Sequence, residues 1–209
     1  GWTIDAAKNS KYIDRIVVSS DDAEILQIAH DLKVEKIKRP KELASDTSTT
    51  FAVIEHVIQQ CVCKFDFIVL LQPTSPLRNA RHIDEAIELL VERDADAIVS
   101  VCETEHSPLW ANTLPDNRSM DAFISQDMVN TRSQDLPKYF RLNGAIYICN
   151  TDQFKQYKTL LIDRNSYAYE MIQADSVDID TQIDFSLAEI QLNSNRLPKI
   201  YKGVEQREK

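Results

Sequence analysis

Short apolar runs alternate with amphipathic stretches through the first half of the chain. Phe67-Ile68-Val69-Leu70-Leu71 is uninterrupted and reads as a fully buried strand. It stops at Gln72-Pro73-Thr74-Ser75-Pro76, a polar turn whose prolines fix backbone dihedrals, before Leu77-Arg78. A helical pattern follows between His82 and Arg93, with Ile83 to Val91 as its body. Upstream, Ile4 to Lys8 reads as the end of a helix and Asp14 to Ser20 as a strand. Asp21 or Asp22 can cap a helix from Ala23 to Leu32, whose Ile25, Ile28, Ala29 and Leu32 share one face. Val34 to Lys38 is a short strand ended by Arg39-Pro40. Phe51 to Cys61 is a helix with Phe51, Ile54, Val57 and Ile58 inward, and Ala97 to Cys102 is the next strand. This alternation predicts an α/β fold with a mostly parallel sheet and helices on both faces. Ligands in such sheets bind at the carboxyl ends of the strands, where the proline-braced turn lies.

The pattern lapses between residues 103 and 141. Pro108, Pro115 and Pro137 punctuate a polar stretch with an apolar side made by Trp110, Leu114, Met120, Phe123, Ile124 and Met128. A segment this long without clear elements reads as an arm that meets a partner surface. Gly144 to Cys149 resumes as a strand, Asp152 to Lys158 as a short helix, and Tyr167 to Ile172 as a strand. Thr181 can cap a last helix, with Asp184 in a capping-box position and Ile183, Leu187 and Ile190 on one side. The expected organisation is a core at 1–102, the arm at 103–141, and the remainder of the core at 142–209.

Composition narrows the function. The formal net charge of -9 argues against nucleic acid as a partner, though a nucleotide needs only a few local cations. No apolar run reaches membrane-spanning length. The cysteines at 61, 63, 102 and 149 fall in or beside apolar patterns and read as reduced residues of a cytoplasmic protein. Only three glycines occur, and Gly144 alone lies well inside the chain, so there is no Walker loop and no dinucleotide fingerprint.

Asp178 and Asp180 are two apart in an extended segment, which turns both carboxylates to one face and suits a hard cation such as Mg²⁺. The plainer reading is two acids near a helix start. Arg39, Arg78, Arg132 and Arg141 sit beside turns and are candidate clamps for phosphate or carboxylate, against the alternative of surface ion pairs. Asp46-Thr47-Ser48-Thr49-Thr50 offers hydroxyls before a helix and reads first as its cap. The histidines at 30, 56, 82 and 106 are scattered and form no catalytic set.

Four stretches resemble one family. They are Leu70 to Arg78, Arg39-Pro40 with Leu43 to Thr47, Arg132 through Pro137 to Arg141-Leu142-Asn143-Gly144-Ala145-Ile146-Tyr147, and Val177-Asp178-Ile179-Asp180-Thr181 with Ile183-Asp184. Taken in chain order they resemble the acylneuraminate cytidylyltransferases, including relatives acting on legionaminic and pseudaminic acids. The resemblance implies a three-layer Rossmann-like nucleotidyltransferase sheet with a protruding dimerisation arm. It implies an enzyme that makes a CMP-sugar and pyrophosphate from CTP and a nine-carbon 2-keto sugar acid, with Mg²⁺. Carried over by residue, Asp178 and Asp180 would hold the metal, and Arg39 and Thr50 would contact the nucleotide. Gln72 and Thr74 would face the sugar acid. Arg132 and Arg141 would stand on the arm side of the sugar pocket, in a homodimer formed through 103–141. The family opens with a strand and a basic, glycine-containing loop that holds the triphosphate. No stretch here matches them, so residues 1–209 alone are expected to show little or no transferase activity. The alternative is a non-catalytic nucleotide-sugar-binding protein lacking that loop.

Overall fold

The computed structural model describes residues 1–45, 47–61 and 63–196. Asp46, in the hydroxyl run, and Gly203 lie outside the described residues. A helix α1 (Trp2–Lys8) leads into a two-stranded parallel sheet of β1 (Val17–Ser20) and β2 (Glu35–Lys38), joined by α2 (Ala23–Asp31). Asp22 caps α2, its carboxylate accepting from the Glu24 and Ile25 amides at 2.7 and 3.1 Å. Ala29 is buried, but Ile25 and Ile28 are about half exposed, at 48% and 51%. The expected inner face of α2 is thus only partly covered. Two strands offer too narrow a platform for the full width of a helix.

The larger sheet has the order β3 (Phe67–Leu70), β5 (Phe140–Asn150), β4 (Ala97–Glu103), β6 (Ser166–Glu170). It corrects the expectation of a mostly parallel sheet. β5 runs antiparallel to both β3 and β4, and only β4 and β6 pair in parallel. The cause is the connection between β4 and β5. It holds no crossover helix, so the chain leaves and re-enters at the same end, which forces an antiparallel pair. The Thr104 amide donates to the Tyr139 carbonyl at 2.8 Å just beyond the last strand pair, so the whole arm is the loop of one hairpin. Among the described residues β3 has a strand neighbour on one side only, and it is half-buried, with Phe67 43% exposed, not enclosed as its sequence suggests.

Side-chain alternation along β5 serves both faces of this sheet. Ile146 and Ile148 join Ile83, Ala86, Leu90 and Ile98 beneath α1 and α4 (Ala80–Glu92). Tyr147 and Cys149 join Ile54, Phe51 and Phe154 beneath α3 (Thr50–Gln60) and α5 (Thr151–Tyr157). Helices therefore cover both faces, as the alternation predicts. Asn79 caps α4, accepting from the His82 amide, while His82 Nδ1 accepts from the Asn79 amide. The last helix, α6 (Gln182–Arg196), rests Ala188 and Leu192 on Leu77, Val177 and Ile179. Its other stripe, Ile183, Leu187 and Ile190, is exposed. The arm contains only three-residue 3-10 turns, at Pro108–Trp110, Gln126–Met128 and Ser133–Asp135, and exposes Leu114, Met120 and Val129.

Candidate active site

The site is built where the loop after β3 meets the middle of β5. Pro73 and Pro76 stiffen the loop, and Ser75 is fully buried within it. Ser75 Oγ donates to the Asn143 carbonyl at 3.3 Å, which fastens the loop to β5. At this level the β4–β5 register shifts between Val99 and Val101. A bulge leaves a backbone donor without a ladder partner, and the Ser100 hydroxyl accepts it, from the Ile146 amide at 2.8 Å.

Asn143 is 1% exposed and fully engaged. Its carbonyl oxygen accepts from Ser100 Oγ at 2.6 Å and from the Ala145 amide at 3.2 Å. Its amide donates to Ser176 Oγ at 2.9 Å and to Met171 Sδ at 3.3 Å. One side chain thus links β4, β5 and the segment that carries Asp178.

Gly144 follows, with φ +74. That conformation suits a residue without a side chain, and the space above it is occupied. A Cβ there would lie 2.4 Å from Gln72 Oε1, 3.3 Å from Ser75 Oγ and 3.4 Å from Asp178 Oδ2. Gln72 and Asp178, more than a hundred positions apart in the chain, therefore converge over one glycine. The backbone reinforces this, because the Ile179 amide donates to the Thr74 carbonyl at 2.9 Å. The segment between the two aspartates runs against the proline-braced loop.

Asp178 Oδ1 is buried and has no hydrogen-bond partner among the described residues. A lone carboxylate oxygen in that state is costly unless a cation or donor meets it. Asp180 is exposed at the start of α6. There the Asp180 and Thr181 amides and the Thr181 hydroxyl all donate to Asp184, whose carboxyl is held below its usual range chiefly by that hydroxyl. Among the described residues no three His, Cys, Asp or Glu side chains form a metal cluster. The residues fit a cation that takes one or two carboxylates and completes its shell with phosphate oxygens and water, as Mg²⁺ does. The Tyr147 phenol is pushed up by burial, and the charge of Asp178 adds to this.

The other sequence candidates are placed less centrally. Arg141 is near enough to feel the charge of Asp178, but its guanidinium is bonded to Glu105 at 2.7 and 3.3 Å, the main reason its proton is held more tightly than usual. Arg132 is exposed on the arm, paired with Asp135 at 2.8 Å, and is not joined to the Gln72–Asp178 group. Arg39 lies at the carboxyl ends of β1 and β2, donating to the Ser19 carbonyl at 2.6 Å. Thr50 is the exposed first residue of α3, whose cap is Thr49. Arg78 is not a surface ion pair, and its guanidinium is spent on protein oxygens, not held open for phosphate or carboxylate. It is 2% exposed and touches no carboxylate among the described residues.

Sequence reasoning picks out Ser75 in the proline-braced turn, where its hydroxyl fastens the loop to β5, but misses Ser100, Asn143 and Ser176 as builders of the site. Two signals were available. Asn-Gly inside an apolar strand asks for a special backbone, and serines in otherwise apolar runs ask for a partner.

A cytidylyltransferase family model matches residues 1–205. An N-acylneuraminate cytidylyltransferase of Streptococcus agalactiae serotype V is 35% identical over 185 residues, which is 88% of this chain and 44% of that protein. The CMP-N,N'-diacetyllegionaminic acid synthase of Legionella pneumophila is 31% identical over 208 residues, covering 93% of this chain and 86% of that protein. The chain spans about half the length of the first curated relatives it matches. In three dimensions it is similar to a CMP:2-keto-3-deoxy-manno-octonic acid synthetase complexed with CTP. The TM-score is 0.65 at 13% identity, with 94% of this chain and 87% of that one covered, a likeness of fold alone. With the family model spanning nearly its whole length, the chain belongs to the cytidylyltransferase family.

Proposed function

We propose that the protein transfers the cytidylyl group of CTP to the anomeric hydroxyl of a nine-carbon 2-keto sugar acid, of the N-acylneuraminate type or a close analogue. The products are a CMP-sugar and pyrophosphate. The observation that carries this reading is the meeting of Gln72 and Asp178 over Gly144. An uncharged hydrogen-bonding group suited to a sugar thus sits beside a carboxylate suited to a cation.

In this reading Gln72 and Thr74 orient the sugar acid, with the prolines keeping the loop in place before substrate arrives. Arg141 releases Glu105 to meet the substrate carboxylate. Arg39 and Thr50 bind the nucleotide from the β1–β2 side. Asp178 and Asp180 would hold Mg²⁺, which would neutralise charge on the triphosphate. The hydroxyl oxygen forms a bond to the α-phosphorus as the bond to pyrophosphate breaks, and the hydroxyl proton passes to water. The chain's contribution is positioning and charge complementarity. The exposed apolar residues of the arm support a homodimer in which Arg132 reaches the partner's pocket.

The test is direct. The intact protein is incubated with CTP, Mg²⁺ and a panel of nonulosonic acids, with an eight-carbon 2-keto acid as comparison, and CMP-sugar and pyrophosphate are quantified. Product with at least one nine-carbon acid, and much less with the shorter one, is expected. No CMP-sugar from any acid would overturn the reading.

A further inference from the structure

Arg78 is the largest side chain buried to this degree among the described residues, and it has no carboxylate partner. Its Nε donates to the Ala145 carbonyl at 3.0 Å. Its Nη2 donates to the Gln72 carbonyl at 3.0 Å and to Thr3 Oγ1 at 3.1 Å. Nη1 is buried with no hydrogen-bond partner among the described residues. A guanidinium without a counter-charge is expensive to bury, and apolar replacements of such groups often stabilise a fold. Stability is therefore a poor reason for it to be here. Geometry is a better one. The fork of a guanidinium is planar and rigid, so carbonyls bonded to it are held at a fixed spacing.

The two carbonyls it joins are significant. Gln72 carries the amide that overhangs Gly144, and Ala145 is the residue after Gly144. Gln72 lies near the start of the loop after β3 and Arg78 at its end, so the side chain at the end bonds the backbone near the start. The Thr3 contact anchors the same group to α1. We propose that Arg78 is a positioning residue, which fixes Gln72 over Gly144 by clamping the loop backbone to β5. The proposal rests on the cytidylyltransfer reading for its kinetic consequence, though not for its structural one.

The experiment uses Arg78→Lys in the intact protein, which keeps the charge and loses the fork. Loss of alignment without loss of contact costs roughly tenfold to a hundredfold in rate. We expect a fall of that size in kcat/KM for the sugar acid, with KM for CTP changed less than about threefold. The double variant Gln72→Ala/Arg78→Lys is expected to lose clearly less than the two single losses combined, because Arg78 acts largely through Gln72, with Thr74 on the same loop carrying the remainder. Additive losses, or equal damage to both substrates, would overturn the proposal. If Arg78→Lys fails to fold, Thr3→Val removes one of the three contacts and is expected to show the same split, more weakly. Unchanged kinetics in Thr3→Val would then overturn it.

A second measurement needs no substrate. The Ile179 amide bonds the Thr74 carbonyl of the clamped loop, so its hydrogen exchange should speed up about tenfold in Arg78→Lys, while α2 amides keep their rates. Unchanged exchange at Ile179 would overturn the proposal whatever the wild-type protein catalyses. A wild-type protein without transferase activity, but with the faster Ile179 exchange in the variant, would overturn the reading of function and leave the clamp standing.

Discussion

Replacing Gly144 by alanine separates two costs that fall on different measurements. The first is backbone strain. At φ +74 an alanine sits in the left-handed region, which costs about 1–2 kcal/mol. For a domain of this size that is a fall in Tm of roughly 2–8 °C. The second cost is displacement. The new Cβ would stand 2.4 Å from Gln72 Oε1, closer than such atoms approach, and the glutamine must swing away. The end of a flexible side chain moves cheaply, by about a rotamer change of 0.5–1.5 kcal/mol. In the proposed function Gln72 orients the sugar acid, and there the displacement is serious, because misplacing such a group by about 1 Å can cost a hundredfold. Gly144→Ala should therefore lose a few degrees by thermal melting and most of its kcat/KM for the sugar acid. Gly144→Ala/Gln72→Ala removes the clash but keeps the strain. It should melt close to Gly144→Ala and be no less active than Gln72→Ala. A Gly144→Ala protein with wild-type Tm and wild-type kinetics would refute both the strained backbone and the convergence over it.

Three other outcomes follow from the site. Asp180→Asn should lose Mg²⁺-dependent turnover, together with any thermal stabilisation by CTP and Mg²⁺, while the free protein melts within about a degree of wild type, as exposed substitutions usually do; unchanged turnover removes Asp180 from the metal site. Asn143→Leu strands the Ala145 amide and takes one partner each from Ser100 and Ser176, which keep the Ile146 and Ile172 carbonyls, so a loss of about 1–3 kcal/mol is expected in urea titration, as for one buried group left unpaired; a loss below about 0.5 kcal/mol contradicts the network. The buried His82 imidazole is pulled below its usual pKa by desolvation, with Arg81 and Arg78 acting the same way and Asp175 and Glu85 opposing. The unfolded chain then binds the proton more readily, so this residue's contribution is intact above about pH 6.5 and declines as pH falls below it. His82→Gln should flatten that slope between pH 7 and 5 in chemical denaturation, and an identical slope sinks the assignment.

Much of this was legible in the chain because the core obeys simple periods. The alternation that sends Ile146 and Ile148 to one face and Tyr147 and Cys149 to the other is written in Gly144 to Cys149. The caps at Asp22 and Asn79 are local chemistry, although the sequence reading leaves Asp21 or Asp22 open for α2 and names no cap for α4. The start of β5 was not legible, because Arg141 and Asn143 interrupt the apolar run for reasons that lie elsewhere in the fold. Asn143 is polar to serve Ser100 and Ser176, whose own positions depend on the bulge. Arg78 was misread for a similar reason. An arginine after a turn is usually solvated, and only the tertiary meeting of Gln72, Ala145 and Thr3 gives this one a buried seat. The direction of β5 depends on the arm holding no crossover helix, and a stretch without a pattern does not reveal which way its far end will run.

The closure of the arm at Thr104 and Tyr139 makes it an interchangeable module. Strand pairing below that point is complete before the arm begins. Insertions, deletions or grafts from other members of the family can therefore enter between these two residues without disturbing the register that seats Gly144. A lineage could remodel the arm there while inheriting the floor around Gly144 intact.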